Sequence, residues 1–397
     1  MIVQMQTGIF TDSTEVQAVV ERAKAYGLRP EVRSVSGEHF YMTEVMLKDG
    51  PKVRTCVVPQ HVFESMPGVN IARRVTPPRL SLAYTGDGHA HSVQLGASTI
   101  VGNGLPCALV MGPCTVDRYI FDIARELAQL GVKRMRGGAW KPRSNPYAFP
   151  GYGEQGLRWL LEAAGTHGME TVFTEVMETS HLEVVQRVQA EVGFTGTIVL
   201  WVGARTDNQI LLRTLGIQRR YPVMIKHTLN ARGVQDLMNR GEWVLAGPCA
   251  WRDDGTLDEE RSLEPGNDQL ILCLRGVEKT DPRAPHRFDP NWFWADTLRH
   301  ERVWTPVGMD PSHPAGTTEN DLVFRFTADA LRYRPHLIMV EGGYPAKGFS
   351  GDDFRGFCDV AQSVPLERTH EILGMVAEHN RIHYAKAVQG CVDGQKR

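Results

Sequence analysis

Hydrophobic and polar positions alternate slowly along most of this chain. Beyond residue 105, short apolar runs return at regular intervals: ALVMG (108–112), KRMRGG (133–138), ETVFTEV (170–176), TIVLWVG (197–203), PVMIKH (222–227), LILCLRG (270–276), TPVGMD (305–310) and HLIMVEGG (336–343). Their cores are continuously apolar, as strands of a parallel sheet covered on both faces must be. Amphipathic helical patterns lie between them, among them YIFDIARELAQLG, GEQGLRWLLEAAGTHG, HLEVVQRVQAEVG, NQILLRTLG and TENDLVFRFTADALRYR. Eight such units predict a closed (β/α)₈ TIM barrel rather than an open doubly wound sheet. Residues 247–267 break the rhythm, being polar and acidic, and read as an insertion.

The first 76 residues follow a different pattern. IVQMQ alternates like a strand, DSTEVQAVVERAKAYGL is an amphipathic helix with a capping start, and HFYMTEVML alternates again. A short helix from Pro59 and a last strand near 70–75 complete β-α-β-β-α-β, a small ferredoxin-like α+β domain. Such a module serves either as a packing extension or as a regulatory domain that binds an effector or covers a site. Residues 77–104 open with TPPRLSLAYTGDGHAHS, rich in Pro, Gly and polar side chains, and form a linker or barrel-closing segment. The catalytic barrel is expected over 105–397.

Composition narrows the classes. The 397 residues are 42% hydrophobic and 23% charged with a formal net charge of −2, the profile of a soluble globular protein. That balance excludes wholesale nucleic-acid or membrane binding, so an anionic ligand must be met by a local cluster. No secretory signal opens the sequence, and no run approaches the roughly 18 apolar residues of a membrane helix. The seven cysteines are scattered without a C-x-x-C pair, which points to a reducing, cytoplasmic setting rather than a disulfide framework.

In a (β/α)₈ barrel, chemistry belongs where strands end at the C-terminal face. The ends here carry Cys114, then Arg136 and Lys141, Glu175, Arg205, Lys226, Arg275, Asp310 with His313, and Glu341. Singly, each cation reads as a rim salt bridge; Arg136, Lys141, Arg205, Lys226 and Arg275 together suit a compact ligand with phosphate and carboxylate groups. Cys114, His313, Glu341 and a carboxylate in SGDD form a mixed donor set for manganese, iron, zinc or cobalt, although Cys114 alone reads as a buried thiol. Gly151, Gly153 and Gly156 spell G-x-G-x-x-G, but they follow a proline-rich loop instead of a strand, so a helix-starting turn is expected, not a dinucleotide site.

At these residues the sequence resembles the metal-dependent 3-deoxy-D-arabino-heptulosonate-phosphate (DAHP) synthases, in the type I beta-like branch with an N-terminal ferredoxin-like domain. The likeness runs from Met1 to about Asp353, through GPCT (112–115), RGGAWKPRSNPY (136–147), GAR (203–205), Lys226 after PVMI, LCLRG (272–276) and DPSH (310–313). It implies a cytoplasmic enzyme that condenses phosphoenolpyruvate with a sugar-phosphate aldehyde. Cys114, His313, Glu341 and Asp352 would hold a divalent metal, manganese first among Mn, Co, Fe and Zn, with Asp352 favoured over Asp353 by its spacing from Glu341. Arg136, Lys141, Arg205, Lys226 and Arg275 would bind phosphoenolpyruvate, with Lys141 also a proton donor and Cys114 and His313 at the catalytic centre. Arg143 and Ser144 would meet the aldehyde's phosphate, and KPRS favours erythrose 4-phosphate. A homo-oligomer, dimer or tetramer, is implied as well.

The sequence also departs from the family. His227 and Thr228 stand where Arg-Gly is common after the strand lysine, Leu274 where a glutamate is common, and Gly342, Gly343 and Tyr344 where valine-histidine-proline follows the glutamate. The segment DPNWFWAD (289–296) is unusually aromatic. These changes keep the donor-site cations and expected metal ligands but alter what surrounds the acceptor. They leave two alternatives open: a specialised relative taking another sugar-phosphate or amino-sugar aldehyde, and a catalytically silent binding barrel.

Overall fold

The computed structural model divides into two compact units, Met1–Thr85 with Ala246–Pro265, and Gly86–Leu245 with Gly266–Arg397. The structure describes residues 1–384 apart from 38–40, 51–52, 54, 56–57, 74–91, 144, 247, 256, 259–265, 301–302, 317–319 and 345–361.

In the first unit, helix Thr14–Ala25 starts where Ser13 Oγ accepts from the Val16 amide at 3.4 Å, and it buries Val16, Val19, Val20 and Ala23. Strands Ile2–Met5, Arg29–Ser36, Tyr41–Lys48 and Val69–Arg73 form an antiparallel sheet in spatial order second, third, first, fourth. With the short helix His61–Glu64 before the last strand, this is the ferredoxin-like arrangement. Its core joins Val3, Met5, Val45 and Phe63 to the helix. In the insertion, Ala250–Trp251 pairs with Leu257–Asp258.

The second unit is the barrel. Its strands are Ala108–Gly112, Arg134–Arg136, Thr171–Glu175, Thr197–Val202, Val223–Lys226, Leu270–Leu274, Val307–Met309 and Leu337–Tyr344. Each pairs in parallel with the next, and the eighth pairs with the first through Leu337–Ala108 to Glu341–Gly112, which closes the cylinder. Closure explains the sequence pattern. Helices cover the outside and side chains fill the inside, so neither face of a strand meets water and no residue need be polar until the strand ends. Thr171, Val172, Phe173 and Thr174 are all fully buried. Each apolar side chain so buried contributes about 1.5–3 kcal/mol.

The barrel interior holds Val110, Phe173, Val199, Trp201, Met224, Ile271 and Met339. Its floor is closed by a hairpin, Ser92–Gln94 with Ile100–Gly102, whose Val93, Leu95 and Val101 join that interior cluster. The hairpin falls within the expected linker, whose residues 77–91 lie outside the described ones. Gly151 has φ 90°, and a Cβ there would lie 2.2 Å from the Ala139 carbonyl oxygen, so the G-x-G-x-x-G stretch is a tight turn into helix Gly153–Thr166.

Candidate active site

The strand ends converge on one cleft of about 460 Å³, part of it open to solvent, lined by Arg136, Lys141, Glu175, Arg205, Lys226 and Arg275, with His313 and Trp201 beside them. All five cations expected from the sequence are there. Arg205 is the exposed one, whereas Arg136, Lys141, Lys226 and Arg275 are buried.

Burying four cations is costly unless they are paired, and the pairs are specific. Arg136 reaches Glu341 Oε1 with Nη2 at 3.1 Å and lies 3.9 Å from Asp310. Lys226 donates to Asp310 Oδ2, whose other close partner is His313 Nδ1 at 2.7 Å. Lys141 Nζ donates to the Cys114 carbonyl and sulfur, each at 3.2 Å, and lies 3.5 Å from Glu175 Oε2. The ring of Trp201 underlies two cations, Arg136 at 5.0 Å and Lys226 at 5.5 Å from its centroid. Among the described residues, five cations thus meet three carboxylates, Glu175, Asp310 and Glu341, leaving two positive charges in excess.

The electrostatics follow. Burial alone would raise the Asp310 carboxyl, but His313, Lys226 and Arg136 hold it well below the usual range. Burial pushes His313 well down, with Lys226 and Arg275 adding to it and Asp310 pulling the other way. Burial lowers the Arg275 guanidinium to about 10. Despite all this pairing, Arg136 Nε and Nη1 and Arg275 Nη1 are buried with no hydrogen-bond partner. Buried donors left open in this way are costly to a protein with nothing to bind.

Of the four residues expected at a metal, Asp352 lies outside the described residues. His313 Nε2 and Glu341 Oε1 face each other at 3.6 Å, while the Cys114 sulfur accepts from Lys141. Among the described residues, no three His, Cys, Asp or Glu side chains are grouped closely enough to hold an ion. An imidazole beside a carboxylate, with a thiol on the first loop, still suits a borderline divalent ion in its chemistry. Of the aldehyde-phosphate pair, Arg143 is half-buried with Nε donating to the Phe149 carbonyl at 2.8 Å, and Ser144 lies outside the described residues.

Several contributors carry no motif. Trp201 could have been found from strand parity, since it shares the inward face with Val199. Gln362, whose Nε2 donates to Glu341 Oε2, follows the last barrel strand and has no sequence signal. Gly203 touches Glu175 so closely that a Cβ would lie 2.0 Å from Oε1. His227 and Leu274, expected near the acceptor, are fully buried and do not line the cleft.

The family model described as DAHP synthetase I family matches residues 90–346. A curated relative from Thermotoga maritima, named phospho-2-dehydro-3-deoxyheptonate aldolase, is 29% identical over 382 residues, which are 94% of this chain and 99% of that protein. The crystal structure of a Thermotoga maritima phospho-2-dehydro-3-deoxyheptonate aldolase (DAHP synthase) is similar with a TM-score of 0.66 and 26% identity, over 97% of this chain and 98% of that one. A truncated form of 3-deoxy-D-arabino-heptulosonate 7-phosphate synthase from Thermotoga maritima is similar with a TM-score of 0.55 and 26% identity, over 75% of this chain and 94% of that one. With the matched region running from the floor hairpin through all eight barrel strands, the chain belongs to the DAHP synthetase I family.

Proposed function

We propose that this protein condenses phosphoenolpyruvate with erythrose 4-phosphate, giving DAHP and inorganic phosphate. The observation that carries the reading is the cleft with two excess positive charges among the described residues and three buried guanidinium nitrogens without hydrogen-bond partners. A small ligand bearing both carboxylate and phosphate answers those donors, and the family relatives bear names of this reaction. Arg143 in KPRS, one residue beyond the cleft-lining Pro142, supports a phosphorylated acceptor.

Arg136, Lys226 and Arg275 bind the donor's anionic groups and fix its C3 toward the aldehyde carbon, with Arg205 at the exposed edge. As C3 attacks, charge grows on the aldehyde oxygen, and Lys141 delivers a proton there. Glu175, 3.5 Å from Lys141 Nζ, keeps that ammonium in place. Water adds at C2 of the donor, and phosphate leaves from the same carbon. The reading includes a divalent metal, manganese foremost, held by Cys114, His313, Glu341 and Asp352. Such a metal supplies Lewis-acid polarisation of the aldehyde or of the attacking water.

His227 and Leu274 are buried behind the residues that line the cleft, so they give no support to a different acceptor. The test is phosphate release from phosphoenolpyruvate with manganese, with and without erythrose 4-phosphate. Fast aldehyde-dependent release, abolished by a chelator, is expected. Release with another phosphorylated aldehyde but not with erythrose 4-phosphate would reassign the acceptor, and no release with any would refute the reaction.

A further inference from the structure

The Arg275 guanidinium has no carboxylate partner among the described residues; its Nη1 is open and its face lies 4.4 Å from the Phe288 ring centroid. Its position therefore depends on its backbone. Strand Leu270–Leu274 ends one residue earlier, so the amides of Arg275 and Gly276 leave the sheet and need other acceptors. The Arg275 N–H donates to His227 Nε2 at 3.2 Å, and the Gly276 N–H to Asn291 Oδ1 at 3.0 Å. Asn291 Nδ2 in turn donates to the same His227 Nε2 at 3.1 Å.

The tautomer follows from the partners. His227 Nδ1 lies 2.8 Å from the Thr228 carbonyl, which can only accept, so the proton sits on Nδ1 and the lone pair on Nε2. That lone pair meets two N–H donors. His227 and Asn291 are fully buried, and Trp294 packs its ring 5.3 Å from the imidazole. The residues that set this sequence apart, His227 and the aromatic segment 289–296, thus meet at one place.

We propose that His227 and Asn291 are positioning residues: together they clamp the Arg275–Gly276 backbone so that the Arg275 guanidinium meets the anionic donor substrate. The clamp ties the end of the sixth barrel strand to the end of the fifth and to segment 289–296, which makes it a built feature of the cleft rim. Its role in substrate binding rests on the reading of the cleft as a phosphoenolpyruvate site.

The test compares His227→Leu, which removes the acceptor, with His227→Gln, whose side-chain oxygen can take the place of Nε2. Asn291→Leu is a second route to the same loss should His227→Leu fail to fold. Leu variants should raise KM for phosphoenolpyruvate on the order of ten-fold or more, with kcat and KM for the aldehyde changed by less than about three-fold. His227→Gln should restore most of the loss, and hydrogen exchange of the peptide containing Arg275 and Gly276 should quicken in the Leu variants only. Unchanged KM for phosphoenolpyruvate in a folded Leu variant, or equal damage from Gln and Leu, would overturn the clamp. If the wild type shows no turnover, the proposed reaction fails; calorimetric binding of phosphoenolpyruvate then decides the clamp by the same comparison. No binding by the wild type would overturn both.

Discussion

Two arginines on one barrel strand, Arg134 and Arg136, show how the two ends of the same cylinder differ. Arg134 faces the floor, where Nε donates to the Leu109 carbonyl at 3.0 Å and Nη1 to Thr99 Oγ1 at 2.9 Å. Nearby, Glu170 accepts from Ser98, Thr99 and Lys133. Arg136, two residues on, faces the mouth; it has carboxylate neighbours but leaves Nε and Nη1 without hydrogen-bond partners. The charged groups on the floor, Arg134, Lys133 and Glu170, are matched by partners there, which stabilises the fold. At the mouth the matching is deliberately incomplete, and what is left over has the charge and geometry to take an anion.

Neutralising each arginine breaks this comparison most sharply. Arg136→Gln removes charge that faces the developing transition state and should lower kcat/KM for phosphate release about 10³-fold or more. Arg134→Gln should leave turnover within about three-fold while costing roughly 1–2 kcal/mol of stability. Turnover and urea denaturation on both variants decide it. Similar losses of activity from the two would mean that the cleft does not select between the ends.

The protonation of two histidines sharpens it next. His336, on the floor side, accepts from the Val307 amide at 2.8 Å, and burial with Arg299 nearby pushes it down to about 4. His227, at the mouth rim, is also pushed to about 4 by burial. Both folded values lie below the usual 6.5, so the unfolded chain binds more protons between about pH 6.5 and 4. Stability is therefore full above pH 6.5 and falls as pH drops to 4, by up to roughly 3 kcal/mol for each histidine. Urea midpoints across this window should decline, and His336→Asn, which keeps an acceptor for Val307, should flatten part of the slope. A slope unchanged by His336→Asn would show that other groups carry it.

Gly203→Ala tests how tightly the mouth is arranged. The added Cβ would lie 2.0 Å from Glu175 Oε1, so Glu175 must move, and Lys141 loses its neighbour. Activity should fall roughly 10- to 100-fold, because a displacement of about 1 Å in positioned groups costs that much. The fold should persist, since Glu175 sits at a strand end rather than within the apolar layers. Full activity would show that Glu175 can leave its place freely.

What was legible in the sequence tracks which physical constraint is local. Seven of the strands show as apolar runs because every position of a covered strand avoids water, while the short second one, Arg134–Arg136, has only Met135 between its two arginines; the mouth cations stand out because they follow where strands end. Trp201 is half-legible, through parity, while its task beneath Arg136 and Lys226 needs three strands brought together. His227 illustrates the limit. In sequence it follows the cleft lysine and looks like part of the acceptor's surroundings, yet strand parity turns it out of the cleft and against Asn291, 64 residues away. Pairing across such separations leaves no periodic trace.

The smallest effect is expected at the floor, from Ser98→Ala. Ser98 Oγ lies 2.8 and 2.9 Å from the two Glu170 oxygens, but the pair is exposed, and Glu170 keeps Lys133 at 3.0 Å and Thr99 at 3.4 Å. A hydrogen bond open to water is replaced by one to water, so the loss should stay below about 1 kcal/mol with turnover unchanged. A fall in activity without a fall in stability would mean that the floor communicates with the cleft, and the division between a satisfied end and an open one would no longer hold. The continuous apolar layer of Phe173, Val199, Met224 and Met339 lies between the two ends and contains no polar chain to carry such a signal.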